Sequence, residues 1–93
     1  MTTPDRPYHV EAAGSARRDL RRLSGKVAAA IVEFITGPLA HNPQRLSKPL
    51  RGELDGHRSA RRGDYRVVFR IDDDEHTVII VGVRHRAHIY RPR

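Results

Sequence analysis

Two runs near the end of the chain carry its clearest pattern. Residues 65–71 read YRVVFRI and residues 77–83 read TVIIVGV, apolar positions alternating or running together over strand length. In the first run Tyr65, Val67, Phe69 and Ile71 fall on one face of an extended ribbon, and Arg66, Val68 and Arg70 on the other. In the second, Val78-Ile79-Ile80-Val81 is apolar on both faces, which suits a central strand. The acidic stretch Asp72-Asp73-Asp74-Glu75 between them reads as a solvated turn, so the two runs form an antiparallel hairpin. Residues 58–62 predict a short strand ahead of it. Residues 8–12, short and partly alternating, predict a first strand able to join the same sheet.

Between the first strand and this region the period changes to that of a helix. Ala16, Leu20 and Leu23 recur at i, i+4 and i+7, with Arg17, Arg18, Asp19, Arg21 and Arg22 on the polar side and Ser15 offering an N-cap hydroxyl. Ser24-Gly25 breaks that pattern and can cap a second helix, whose buried stripe is Val27, Ile31, Phe34 and Ile35. Ala28 to Ala30 raise its helix propensity. Gly37-Pro38 should kink or stop it, because proline lacks the amide and crowds the preceding turn. Leu39 fits one further turn before Asn42-Pro43 ends the helix. Two short helices joined by two residues make a helical hairpin. Residues 43–57, with two prolines and two glycines, read as a connecting loop pinned to the core by Leu46, Leu50 and Leu54. The expected fold is α+β, one domain over residues 1–93: a small, mostly antiparallel sheet with the helical hairpin on one face.

Composition narrows the function. The 93 residues are 38% hydrophobic with two Phe, three Tyr and no Trp, so the core is aliphatic and modest. The absence of cysteine removes disulfides and thiolate metal sites. The start, MTTPDRPYHV, carries no apolar run of signal-peptide length, and no segment approaches a membrane span, which makes the cytoplasm the expected address and a membrane no expected partner. Net charge is +7, with a sequence pI near 11.0. Of the 18 basic residues, 16 are arginine. Codon bias alone can produce that ratio; guanidinium is also the planar, permanently charged group that grips phosphate in a bidentate manner. Either way, so basic a chain should associate with polyanions in a salt-dependent manner.

The arginines are not spread evenly. RSARRGDYR, residues 58–66, precedes one strong strand, and Val83-Arg84-His85-Arg86 ends the other. Antiparallel pairing brings these two stretches to one rim of the sheet. Register decides which share a face: pairing Arg70 with Thr77 puts Arg66 on the face of His85, and a slip of one puts it with Arg84 and Arg86. An edge kept soluble by charge is the plain alternative, but about six basic groups with a histidine and Tyr90 repel one another unless an anion is present. These residue types suit RNA cleavage by the ribose 2′-hydroxyl. Histidine can act as base or acid near neutrality, arginine stabilises the extra charge on a pentavalent phosphate, and tyrosine can stack on a base. No metal or other cofactor is required.

The helical elements SARRDLRRL and KVAAAIVEFI, the linker KPLRGELDG, the strand RRGDYRVVFRI and the ending HRAHIYR, in this order, resemble the RelE toxins of the RelE/ParE superfamily, from bacterial toxin–antitoxin pairs. The resemblance implies a β-α-α-β-β-β fold and an endoribonuclease that enters the ribosomal A site and cuts messenger RNA there. It implies a cognate antitoxin, RelB-like or Phd-like, with operator DNA reached only through that antitoxin. By position, Arg66 and Arg84 match the arginines that hold the scissile phosphate, and Tyr90 matches the tyrosine that stacks on or orients the nucleotide. His85 and Arg86 match the family's HR pair, making His85 the candidate acid–base. The chain departs from the family where two lysines are expected before the GDYR strand: His57 and Ser59 stand there. His57 then becomes an alternative base, with Arg58, Arg61 and Arg62 supplying charge to RNA or ribosome.

Two other functions fit the same superfamily: a ParE-like inhibitor of DNA gyrase, and a non-catalytic module that binds RNA or antitoxin. Other signals reduce to structure. His85 and His88 have the spacing of metal ligands but no evident third, Arg62-Gly63-Asp64 shapes a strand start, and Ser15 and Ser24 are caps without a base beside them.

Overall fold

The structure, a computed structural model, describes residues 6–86. Its elements follow the expected order with one addition: β1 (His9–Ala12), α1 (Gly14–Arg21), α2 (Gly25–Phe34), β2 (Ser47–Pro49), β3 (Arg58–Arg62), β4 (Tyr65–Asp72) and β5 (Thr77–His85). The strands form one sheet in the order β1-β5-β4-β3-β2. β1 runs parallel to β5, and the other pairings are antiparallel. No described helix is long and apolar enough to cross a membrane.

Alternation along β4 divides the sheet as its sequence requires. Val67 and Phe69 are fully buried beside Ala60, Val78, Ile80 and Val83, and they pack against Ala16, Ile31, Ile35 and Leu39 from the helical side. Burial of these aliphatic faces holds the layers together. Arg66 and Arg70 alternate with the buried residues, on the face away from the helices.

Ser24 caps α2 as expected, its Oγ accepting the Val27 N–H at 3.3 Å. Pro38 does not end the helix that follows. The backbone widens into a π turn over Ile35–Leu39, which accommodates the missing amide and keeps Ile35 and Leu39 in the core.

Three expectations are corrected. Ser15 does not cap α1: the N-cap position is Ala13, and the Ser15 hydroxyl donates instead to the Val81 carbonyl at 2.6 Å. Residues 43–57 are not a plain loop, since β2 adds to the sheet beside β3 and Gly52–Leu54 forms a 3₁₀ turn. A three-residue strand containing proline is tolerated because it lies at the sheet edge. Leu46, Leu50 and Leu54 do not pin this segment to the core. Leu46 and Leu54 are exposed, and Leu50 and Leu54 line a concavity with Ser59, Val68, Val81 and Arg84 on the open face.

The acidic turn is also more than solvated. The Tyr8 hydroxyl donates to Asp73 at 3.0 Å, and the Tyr8 ring stacks on His76 with centroids 3.9 Å apart. These contacts bring the start of β1 against the β4–β5 turn, beside the residues with which β1 pairs.

The outer edge of β5 has two different covers. β1 pairs with it only from Thr77 to Ile80. Beyond that point α1 takes over: Ser15 donates to the Val81 carbonyl, and Asp19 Oδ2 accepts the Val83 N–H at 2.9 Å. Side chains of a helix thus satisfy backbone groups that a strand would otherwise pair.

Candidate functional site

The rim where β4 begins and β5 ends is shaped by a bulge. At the turn end of the hairpin Asp72 pairs with Thr77 and Arg70 with Ile79. Between Val68 and Phe69 the register shifts, because Phe69 pairs with Ile80 while Val68 pairs with Gly82. Val81 is the extra residue, and past it every side chain of β5 exchanges faces relative to the unshifted ladder.

The consequence is a row of arginines. Arg66 pairs with Arg84 on one side and with Arg61 on the other. Directly paired residues project to the same face, so Arg61, Arg66 and Arg84 line up across three neighbouring strands on the face away from the helices. With strands ~4.8 Å apart, the row spans about 10 Å. Like charges placed opposite one another destabilise a sheet, and the carboxylates beside Arg84 and Arg86 are weak partners. Asp19 Oδ2 lies 3.7 Å from Arg84 Nε, but Arg84 is exposed. Asp64 Oδ1 lies 3.8 Å from Arg86 Nε, with both side chains exposed. Exposed pairs of this kind are worth roughly 0–1 kcal/mol.

His85 lies at the same rim but on the other face. It pairs with Tyr65, and the two rings meet edge to face, 5.2 Å apart at 88°. Together with Asp19, Arg22, Leu23, Val83 and Arg84 they line a half-open concavity of about 530 Å³ between the rim and α1. The bulge therefore pairs Arg66 with Arg84 and puts His85 on the face of Tyr65, while Arg84 reaches the edge of the concavity that His85 lines.

The remaining expected residues divide by role. Arg62 is exposed at the rim, paired with Tyr65. Arg86 extends the rim through its N–H, which donates to the Asp64 carbonyl at 2.8 Å. Arg58 is held away from solvent anions. Its Nε donates to Ser47 Oγ at 2.6 Å, and its Nη2 reaches the carbonyls of Gln44 and Ser47. It anchors the segment leading into β2. His57 is half-buried at the opposite end of β3 from Arg61, about 13 Å away at strand rise. Tyr90 and His88 lie outside the described residues.

Two residues gain a place that sequence reasoning did not give them. Lys48 pairs with Ser59 across β2 and β3, which puts its side chain on the arginine face. Lys48, Ser59, Arg61 and Arg66 line a concavity of about 390 Å³. Asp19, expected only as part of a polar helix face, buttresses β5 and approaches Arg84. The signal for Asp19 was its position, one turn from Ser15 on the side facing β5. For Lys48 there was none, since three residues give no alternation.

Comparison with known proteins agrees with this architecture. Residues 10–90 match the family model described as the ParE toxin of the type II toxin–antitoxin system parDE. The chain is 58% identical over 87 residues to Toxin RelE of Mycobacterium tuberculosis, covering 94% of this chain and 90% of that protein. It is 54% identical over 85 residues to Toxin RelG of the same organism, covering 91% and 98%. Among solved structures, the toxin–antitoxin complex RelBE2 from M. tuberculosis contains a chain that superposes with a TM-score of 0.83 at 53% identity, covering 87% of this chain and 93% of that one. A family model spanning most of the sequence, and two relatives more than half identical over nine-tenths of it, lead to one conclusion: the chain belongs to the RelE/ParE superfamily of toxins from type II toxin–antitoxin systems.

Proposed function

We propose that the protein is the toxin of a type II toxin–antitoxin pair and acts as a ribosome-dependent endoribonuclease that cuts messenger RNA in the A site. The observation that carries this reading is the row Arg61-Arg66-Arg84, three arginines directly paired across neighbouring strands of the sheet. Such a row matches the charge that accumulates when a 2′-hydroxyl attacks its own phosphodiester. The 2′-oxygen–phosphorus bond forms, the bond to the 5′-oxygen breaks, and the products are a 2′,3′-cyclic phosphate and a free 5′-hydroxyl. Arg66 and Arg84 hold the scissile phosphate and stabilise the pentavalent state, a contribution of the oxyanion-hole type. Arg61, Arg62 and Arg86 attract the flanking backbone and the ribosome.

Proton transfer falls to His85, one residue beyond Arg84, acting around the end of β5, with Tyr90 stacking on the nucleotide. The ribosome then supplies a substrate held with its 2′-hydroxyl in line with the leaving oxygen. The cognate antitoxin blocks the site most directly by laying an acidic or amphipathic segment over the arginine row.

Mapping message ends in a cell-free translation system tests the reading. New 5′ ends should appear on ribosome-bound transcript and not on free transcript. A gyrase supercoiling assay run in parallel separates the ParE-like alternative: arrest with lost supercoiling and intact messages would overturn the nuclease reading.

A further inference from the structure

Ser59 is 7% exposed, and its hydroxyl oxygen is buried with no hydrogen-bond partner among the described residues. A buried hydroxyl without a partner has given up its bonds to water for nothing, which is unfavourable and uncommon in native folds. On one side Leu50, Leu54, Val68 and Arg84 offer no acceptor side chain. On the other side it borders the concavity walled by Lys48, Arg61 and Arg66, with Arg45 at the margin. Four cations surround one unused hydroxyl donor, and no carboxylate among the described residues lines the space. That combination describes a site for an anion with several acceptor oxygens.

We propose that this concavity is a second phosphate subsite, in which Lys48 Nζ and Arg61 carry the charge and Ser59 Oγ–H donates a hydrogen bond to a phosphate oxygen. The identification of the anion as RNA backbone rests on the nuclease reading above. A strand crossing the sheet from β5 toward β2 then places its scissile phosphate between Arg66 and Arg84 and a neighbouring phosphate here. Lys48 and Ser59 are phosphate-binding residues that set the path of the strand.

The test is fluorescence anisotropy of a labelled single-stranded RNA bound by the full chain at several KCl concentrations. The variants are Lys48→Gln, Ser59→Ala and Arg66→Gln, with Arg70→Gln as the control on the same face but toward the turn. Lys48→Gln should weaken binding about tenfold at low salt and reduce the salt slope by about 0.7, the value for one fewer neutralised phosphate on a single strand. Ser59→Ala should weaken it about fivefold while the melting temperature stays level or rises, because an unpaired buried hydroxyl has been removed. Arg70→Gln should bind like the wild type. If Arg66→Gln weakens binding but Lys48→Gln and Ser59→Ala do not, the subsite is refuted and the proposed function stands. If none of the three changes binding, both are refuted. Inorganic phosphate supplies a second arm. A rise in melting temperature with phosphate that Lys48→Gln abolishes, without any effect of that variant on RNA, would assign the subsite to free phosphate and overturn the RNA assignment.

Discussion

Arg66 stands directly opposite Arg84 across the β4–β5 ladder, although the same ladder begins at its turn with Asp72 opposite Thr77. Carried unbroken from that turn, the register would set Arg66 against Val83 and on the face of His85. One extra residue, Val81, converts that arrangement into a pair of facing arginines. Two arginines paired in this way can grip one anion together, so activity should respond to their mutation more than stability does.

Replacing Arg66 or Arg84 by glutamine should reduce message cleavage in a translation extract about 10²-fold or more, the usual consequence of removing a group that stabilises transition-state charge. For Arg84, which is exposed, unfolding free energy in urea should change by less than about 0.5 kcal/mol, the range for surface substitutions. Cleavage at the wild-type rate by the double variant would rule these residues out as the phosphate site.

Asp19 supports the site through the backbone of β5. Asp19→Ala leaves the Val83 N–H without its acceptor and should cost about 1–3 kcal/mol. Asp19→Asn keeps an acceptor oxygen at that position and should cost much less. Chemical denaturation of the two variants side by side checks this. Equal losses would mean that the carboxylate charge, rather than the hydrogen bond, holds the strand.

Arg58 and Arg61 are close in sequence and opposite in expected effect. Arg58→Gln removes three hydrogen bonds to Gln44 and Ser47, and should lower stability by about 1–2 kcal/mol with little change in RNA affinity. Arg61→Gln should weaken RNA binding and its salt dependence while leaving the melting temperature nearly unchanged. Matched melting and anisotropy measurements decide whether the two roles are assigned correctly.

The two helix-start serines give a contrast of the same kind. Ser24→Ala removes the α2 cap and should cost about 1 kcal/mol, with faster amide exchange in the first turn of α2. Ser15→Ala does not uncap α1, so exchange in the first turn of that helix should be unaffected. Its cost, read by denaturation, comes from the missing bond to the Val81 carbonyl.

Much of this architecture was legible because periodicity reports burial. The stripe through Val27, Ile31 and Ile35 and the alternation of Val67 and Phe69 appear in the core as the pattern required. Ser24 capped the helix that followed it because the hydroxyl and the amide it accepts are three residues apart, a local relation. The meeting of Gly63–Arg66 with Arg84–Arg86 was also legible, since an antiparallel hairpin leaves no other arrangement of its ends. What escaped were relations between distant segments. Ser15 had a local role open to it and took a long-range one, and β2 was too short to show a period. Leu46, Leu50 and Leu54 share a residue type with the core but lie on the wrong side of the sheet.

The amino-acid sequence by itself determined the two helices, the strands other than β2, their order, the aliphatic core and the gathering of arginines at one rim, because each depends on spacing along the chain. Tertiary structure alone decided which arginines face one another. β5 is apolar on both sides, so no side chain objects to either register, and a one-residue bulge at Val81 can be set only by what packs on the two faces and along the edge. There α1 holds Val81 and Val83 through Ser15 and Asp19. Those bonds bridge more than sixty residues of chain, and that separation is the reason no local pattern announced them.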